Sequence, residues 1–271
     1  MSLKLMYTTN DPILSRIAEN SGVDWIFVDL EIIGKFERQG HLDTKISRHK
    51  ISDVKIIKKV LKKAKLLVRV NPIHNNSKSE IDKVIEYGAD IVMLPYFKKI
   101  AEIKEFLNYV NNRAEVCLLL ETPDAVEILD EILEIKGIKY IHIGINDLHL
   151  GYGMKFMFEL LSDGTVENII EKIKKTDIAY GFGGIVQLSK GILPAEYIIA
   201  EHYRLKSSMA IISRSFCDIS ASYKCIARDF NKGIKDIRDF EKSLRNKNQD
   251  FFINNQEQIA EKVKLIINAE K

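Results

Sequence analysis

Two acidic residues close two apolar runs that lie one strand–helix unit apart, and they are the chemically richest feature of the chain. Glu121 follows Val116-Cys117-Leu118-Leu119-Leu120, and Asp147 follows Tyr140-Ile141-His142-Ile143-Gly144. An amphipathic helix is expected between them, over about 124–133. In a parallel α/β sheet or barrel, successive strands end on the same face, so both carboxylates open into one cleft. A pair of hard oxygen donors suits a divalent cation such as Mg²⁺ or Mn²⁺. Two more strand ends bring polar groups to that face, Asp29-Leu30-Glu31 and Arg69-Val70-Asn71-Pro72. Singly, each has a plainer explanation, because an Asp before a helix is often an N-cap and an Arg at a strand end is often a surface ion pair. Two acids, an arginine and the loop Gly144-Ile145-Asn146-Asp147 together point to a site.

The elements that must position these residues alternate along the chain. Strands are expected at 4–8, 25–30, 66–71, 91–95, 116–121, 140–144, 181–186 and 209–213. Their interiors are nearly continuous Val, Ile and Leu, as parallel strands buried on both faces require. Helices fall between them at 12–20, 53–63, 80–87, 100–110, 166–174 and 195–203. Eight such units in 271 residues give a single-domain (β/α)8 TIM barrel over about 3–214, with a helical extension over about 215–271. The extension carries helical stretches near 234–246 and 256–267. They would cap the barrel or form its last helix, or else pack on a neighbouring subunit. A doubly wound open sheet is the alternative, but no GxGxxG turn opens a first helix. Two connections, 31–52 and 145–164, are longer than a barrel needs and follow strand C-termini, where functional loops lie.

Composition narrows the classes of partner. With 46% apolar residues the chain can bury a full core. Its 41 basic and 38 acidic residues leave a net charge of only +3, which gives no reason to invoke nucleic acid or a membrane surface. The Lys-rich stretch 55–65 alternates with Ile, Val and Leu at helical spacing and is a solvated helix face. No apolar run approaches the roughly 20 residues of a membrane helix. No secretory signal opens the chain. Cys117, Cys217 and Cys225 form neither a CxxC pair nor a zinc spacing. A soluble cytoplasmic protein is therefore expected.

Five segments carry a family likeness: Val-Asp-Trp-Ile-Phe-Val-Asp-Leu-Glu (23–31), Val-Arg-Val-Asn (68–71), Gly-Ala-Asp-Ile-Val-Met-Leu-Pro (88–95), Leu-Leu-Glu-Thr-Pro-Asp-Ala-Val (119–126) and Ile-Gly-Ile-Asn-Asp-Leu-His-Leu-Gly (143–151). The chain resembles the HpcH/HpaI aldolase and citrate lyase β-subunit family of pyruvate-binding barrels, from about residue 3 to about 214. The resemblance implies a class II, metal-dependent carbon–carbon lyase acting on a 2-keto acid such as pyruvate through its enolate. It makes Glu121 and Asp147 the metal ligands and sets Arg69 against the keto oxygen. The backbone of Gly144, Ile145, Asn146 and Asp147 would hold the substrate carboxylate. It also implies a homo-oligomer and an unidentified second substrate. A metal-polarised carbonyl with a fixed positive charge beside it is what a developing enolate requires.

One position departs from the family pattern. Pyruvate aldolases of the family carry a histidine directly after the strand-two Glu, and here that place is Ile32. The acid supporting that histidine aligns near Glu86. The citrate lyase-like branch lacks the histidine too, so a citrate lyase-like or acyl-CoA-linked lyase is a second possibility, and a non-catalytic metal- and keto-acid-binding barrel a third. Substitutes for the missing proton carrier are His41 and His49 in the long second connection, with His74 and His149 also near strand ends. The polar, Gly-punctuated run 38–43 reads as a substrate-recognising lid. His142, in mid-strand, reads as a packed or interface histidine, and His202 as structural. The run Gly181-Phe182-Gly183-Gly184-Ile185 implies either close approach of a ligand or barrel curvature. Arg214 would reach the cleft rim. Tyr152, Phe156, Met157 and Phe158 read as helix packing or a subunit contact.

Overall fold

The computed structural model describes residues 2–35 and 48–269. Eight parallel strands close into a barrel in sequence order. They are β1 (Lys4–Thr8), β2 (Trp25–Asp29), β3 (Lys65–Arg69), β4 (Ile91–Leu94), β5 (Glu115–Leu120), β6 (Ile138–Ile143), β7 (Ala179–Ile185) and β8 (Met209–Ile212). The side-chain period of two splits each strand between two cores. Met6, Trp25, Phe27, Leu67, Ile91, Met93, Cys117, Leu119 and Met209 fill the barrel interior. Their strand neighbours face the surrounding helices in a second, larger cluster. Full burial of one such side chain contributes about 1.5–3 kcal/mol. The floor is therefore packed solid, and polar inward groups appear toward the C-terminal ends, where Arg69 pairs in register with Asp29.

Outside run α1 (Pro12–Asn20), α2 (Ile51–Val60), α3 (Ser77–Glu86) and α4 (Ile100–Val110). Asp11 caps α1 by accepting from Ile13 N and Leu14 N, which satisfies two of the orphan donors every helix start carries. The helix expected over 124–133 is instead two short ones, α5 (Pro123–Glu127) and α6 (Leu129–Leu133). They part at Ile128, whose N–H is shared between the carbonyls of Asp124 and Val126 in a tightened turn. Nor is 145–164 a bare connection: it holds α7 (Ile145–Gly151) and α8 (Glu159–Ser162). Next come α9 (Thr165–Ile173) and α10 (Ala195–Arg204). After β8 a 3₁₀ turn (Arg214–Phe216) leads to α11 (Tyr223–Leu244) and α12 (Gln249–Ala269).

Both C-terminal helices start well before the stretches expected from sequence. α11 packs against α1 and α10, so it stands as the eighth barrel helix. Its buried Glu241 accepts from Leu3 N at 2.8 Å, Arg238 Nη1 at 2.7 Å and Tyr203 OH at 3.1 Å, tying the last helix to the first strand. α12 lies over α10 and α8 and buries Asn255, Ile259 and Val263. The glycine-dense β7 slips register against β8 between Gly181 and Gly184. A Cβ at Gly181 would strike the Met209 carbonyl. No described helix is long and apolar enough to cross a membrane.

Candidate active site

A cavity of about 500 Å³ opens where the strands end. Glu121, Asp147, Arg69, Gly144, Ile145 and Asn146 all line it, so one space collects the acid pair, the arginine and the loop singled out by sequence. Phe27, Leu119, Ile211 and Met157 make its apolar wall. Of the aromatic run after Asp147, Phe156 and Phe158 are buried and pack edge-on at 5.3 Å, whereas Tyr152 is exposed.

Glu121 is buried at the end of β5, and its Oε1 accepts from Tyr96 N at 3.0 Å. Tyr96 makes that bond from φ +47°, a left-handed conformation uncommon for an aromatic residue. On the other side stands Gly144, where a Cβ would lie 2.8 Å from Glu121 Oε2. The carboxylate thus sits in a cradle that a side chain at 144 would fill. Asp147, also buried, is in the first turn of α7. The first intrahelical bond there runs from Leu148 N to Gly144 O, so the N–H groups of Ile145 and Asn146 have no acceptor within the helix.

Opposite lies a buried ionic network. Arg69 Nε and Nη2 donate to the two oxygens of Asp29 at 2.8 and 2.9 Å, and Nη1 lies 3.2 Å from Glu31 Oε2. Burial works against this charge, but Asp29 and Glu31 outweigh it and hold the guanidinium pKa well above its ordinary value. Lys35 joins both acids, at 3.1 Å from Asp29 Oδ2 and 3.2 Å from Glu31 Oε2, and it lines the cavity. Nothing in the sequence marks Lys35, which sits in a connection where lysines are ordinarily solvated. Arg214 lines the cavity too, 3.6 Å from Asp29 Oδ2. Burial lowers its pKa, with Asp29 opposing and Arg69 adding to the shift.

The histidines separate clearly. His49 lies behind the network, its Nδ1 accepting from Asp29 N at 3.0 Å. Burial pushes its pKa down against the pull of Asp29, and its ring is not part of the cavity wall. His41 and the lid run 38–43 lie outside the described residues. His74 Nδ1 is held by Pro72 O at 3.1 Å and Ser77 Oγ at 2.8 Å, away from the cavity. His149 donates Nδ1–H to Ile145 O at 3.1 Å inside α7. His142, expected to be a packed or interface histidine, faces inward and lines the cavity. His202 stacks on Phe182 at 3.8 Å and bonds Ser207 Oγ through Nδ1 at 2.8 Å, a structural role.

The supporting acid is expected near Glu86, and Glu86 itself is exposed and pairs with Lys83. Nearer the start of the same helix, Glu80 is the acid turned inward, and burial raises its pKa against the bonds from Asn71. Asn71 donates to Glu80 at 2.8 Å and accepts from Ile32 N and Ile33 N at 2.9 and 3.0 Å, fixing the backbone after β2.

Glu121 and Asp147 fit a hard divalent cation that fills its other positions with water and substrate oxygens. Two carboxylates are hard oxygen donors, unlike the thiolates and imidazoles of a zinc cage, and among the described residues no group of three or more His, Cys, Asp or Glu side chains is placed to hold a metal ion.

The HpcH/HpaI aldolase/citrate lyase family profile matches residues 4–182. No curated protein matches the chain in sequence. Among solved structures, an HpcH/HpaI aldolase from Desulfitobacterium hafniense DCB-2 shares 15% identity and a TM-score of 0.58, covering 88% of this chain and 93% of that one. Citrate synthase SbnG shares 16% identity at TM-score 0.58, covering 78% and 85%. Macrophomate synthase shares 12% at 0.56, covering 78% and 77%. At these identities the likeness is one of fold.

Proposed function

The chain belongs to the HpcH/HpaI aldolase/citrate lyase family, and on that premise we propose that it is a class II pyruvate aldolase-like lyase, making or breaking a carbon–carbon bond beside the carbonyl of a 2-oxo acid. The convergence of Glu121, Asp147 and Arg69 on one cavity carries this reading. Glu121 and Asp147 would hold Mg²⁺ or Mn²⁺, which when bound polarises the carbonyl as a Lewis acid. The N–H groups at the start of α7 would take the substrate carboxylate. Arg69 supplies fixed positive charge where the enolate oxygen develops. Its hydrogen bonds to Asp29 use two of its five N–H groups, and Glu31 adds an ion-pair contact at Nη1. They orient the fork before substrate arrives, so little reorganisation is left for the reaction itself. The apolar wall of Phe27, Leu119 and Ile211 lowers the local dielectric and strengthens both effects.

Pyruvate α-proton exchange into D₂O, followed by NMR, tests enolisation without knowledge of the second substrate. Exchange that requires Mg²⁺ or Mn²⁺ and disappears in Glu121→Gln is expected. Binding of metal and pyruvate without exchange would describe a non-catalytic binding barrel instead.

Ile32 favours a second reading. It occupies the histidine place of the pyruvate aldolases, is 60% exposed and can move no proton. A citrate lyase-like or acyl-CoA-linked lyase accommodates that loss. Calorimetric titration with acetyl-CoA in the presence of Mg²⁺ separates the two, since only the second requires binding.

A further inference from the structure

We infer that His142 is the hydrogen-bond acceptor with which this cavity recognises a hydroxyl group on its ligand, an assignment that rests on the 2-oxo-acid reading above. His142 is on β6, 1% exposed, and among the described histidines it is the one that lines the cavity. Its Nε2 lies 3.2 Å from the carbonyl oxygen of Gly183. A carbonyl only accepts, so Nε2 carries the ring proton and Nδ1 keeps its lone pair. That Nδ1 is buried and has no hydrogen-bond partner. Buried polar atoms are nearly always paired, and an orphan in a cavity wall marks a place for a ligand or water to complete.

The surroundings select the donor. A carboxylate or carbonyl oxygen would oppose the lone pair. An ammonium would sit near Arg69, whose charge already acts on this ring: burial first, then Arg69, take the imidazole down to about 4 against the Gly183 bond. A neutral hydroxyl donates without adding charge, and it is the class that fits. Room exists for it at Gly184, a wall position on β7 where a Cβ would meet nothing nearer than Ile211 O at 3.5 Å, whereas over Gly183 the side chain of Ile145 already fills the space. A ligand with its oxo-acid end at Glu121 and Asp147 would then place a hydroxyl-bearing carbon along this bare stretch of wall. His202, also buried and also carrying one unpartnered nitrogen, does not line the cavity and serves as the internal comparison.

The test is calorimetric titration of Mn²⁺-loaded protein with two matched pairs of probes, pyruvate against 3-hydroxypyruvate and 2-oxobutanoate against 4-hydroxy-2-oxobutanoate. At least one hydroxylated probe should bind about tenfold more tightly than its partner, the scale of one buried hydrogen bond. His142→Phe should abolish that preference and leave the unhydroxylated Kd unchanged, and His142→Asn, which keeps an acceptor, should retain part of it. A second readout uses wild-type protein alone. The ¹⁵N resonance of His142 Nδ1 should move with the preferred hydroxylated probe and not with its partner, while His202 stays still. Equal affinities within both pairs, or an unmoved His142 resonance, would overturn the assignment while leaving the keto-acid site standing. Failure of all four probes to bind would remove the keto-acid reading and this assignment with it.

Discussion

Gly144→Ala isolates the steric demand at the acid pair. The backbone at Gly144, φ −84° and ψ 77°, is close to the inverse γ-turn minimum and open to alanine, so no torsional penalty enters. The new Cβ would stand 2.7 Å from Glu121 Cβ and 2.8 Å from Glu121 Oε2. Carbon atoms pack at about 3.5–4.0 Å, so about 1 Å must be recovered. Glu121 Cβ cannot swing away, because it is fixed to the end of β5 and Tyr96 N holds the carboxylate at 3.0 Å. Either the strand end shifts or the carboxylate leaves its place. Overpacking of this kind costs about 1–3 kcal/mol, and each kcal/mol lowers Tm by about 2–4 °C in a domain near this size. Mn²⁺ affinity should fall by about 10- to 100-fold, the scale seen when the support of a metal ligand is disturbed. Scanning calorimetry and Mn²⁺ titration on wild type and variant measure both effects. Gly184→Ala is the control, since its Cβ would meet nothing closer than Ile211 O at 3.5 Å. If Gly144→Ala binds Mn²⁺ as wild type does, with an unchanged Tm, the cradle does not set the position of Glu121.

Asp29→Asn leaves Glu31 as the one ion-pair partner of Arg69 and Lys35 among the described residues and should cost about 3–5 kcal/mol in urea unfolding, as breaking a buried ion pair does; a loss below about 1 kcal/mol would show that the network contributes little to the fold. Arg69→Lys keeps the charge but not the planar fork, and should slow pyruvate exchange by about 10²–10³. Stability should also fall as pH drops from about 6.5 toward 4. An unfolded histidine binds its proton near 6.5, whereas burial keeps His142 and His202 neutral down to about 4 and about 3. The unfolded state therefore holds more protons in that window, and stability present above it is lost on acidification. Urea midpoints at pH 7.5 and 5.0 read the loss, and His202→Phe should remove about half of it. Glu241→Ala strands the Leu3 N–H and takes one partner from the Tyr203 hydroxyl, and should unfold at lower urea by about 3–5 kcal/mol; an unchanged midpoint would mean that this tie between α11 and β1 is dispensable to closure.

The barrel is legible in the sequence because strands buried on both faces read as unbroken Val, Ile and Leu runs. The acid pair is legible because a charged residue directly after such a run has one natural destination, the open end. The same uniform burial hides which inner residues face the cavity. His142 sits in a strand whose two faces look alike in sequence, so nothing separates lining from packing until the closed barrel fixes the register. Lys35 is hidden differently, since only the return of the chain onto Asp29 and Glu31 takes its ammonium out of water. Glu80 and Glu86 share one helix, and the pattern alone does not say which of them turns toward Asn71. The split at Ile128 rests on a local sharing of one N–H, below the resolution of any periodicity.

The family profile ends at residue 182, inside β7. Arg69, Glu121 and Asp147 fall before that limit, and Gly183, Gly184 and the wall from Ile211 to Ser215 fall after it. The cavity thus has one side within the family match and one side beyond it. The acids and the arginine lie on the side within the family match, and the glycine stretch of β7 and the chain after β8 lie on the side beyond it. Grafting residues 183–215 onto a relative would therefore exchange the wall that His142 faces and leave the acids, the arginine and His142 itself to the recipient.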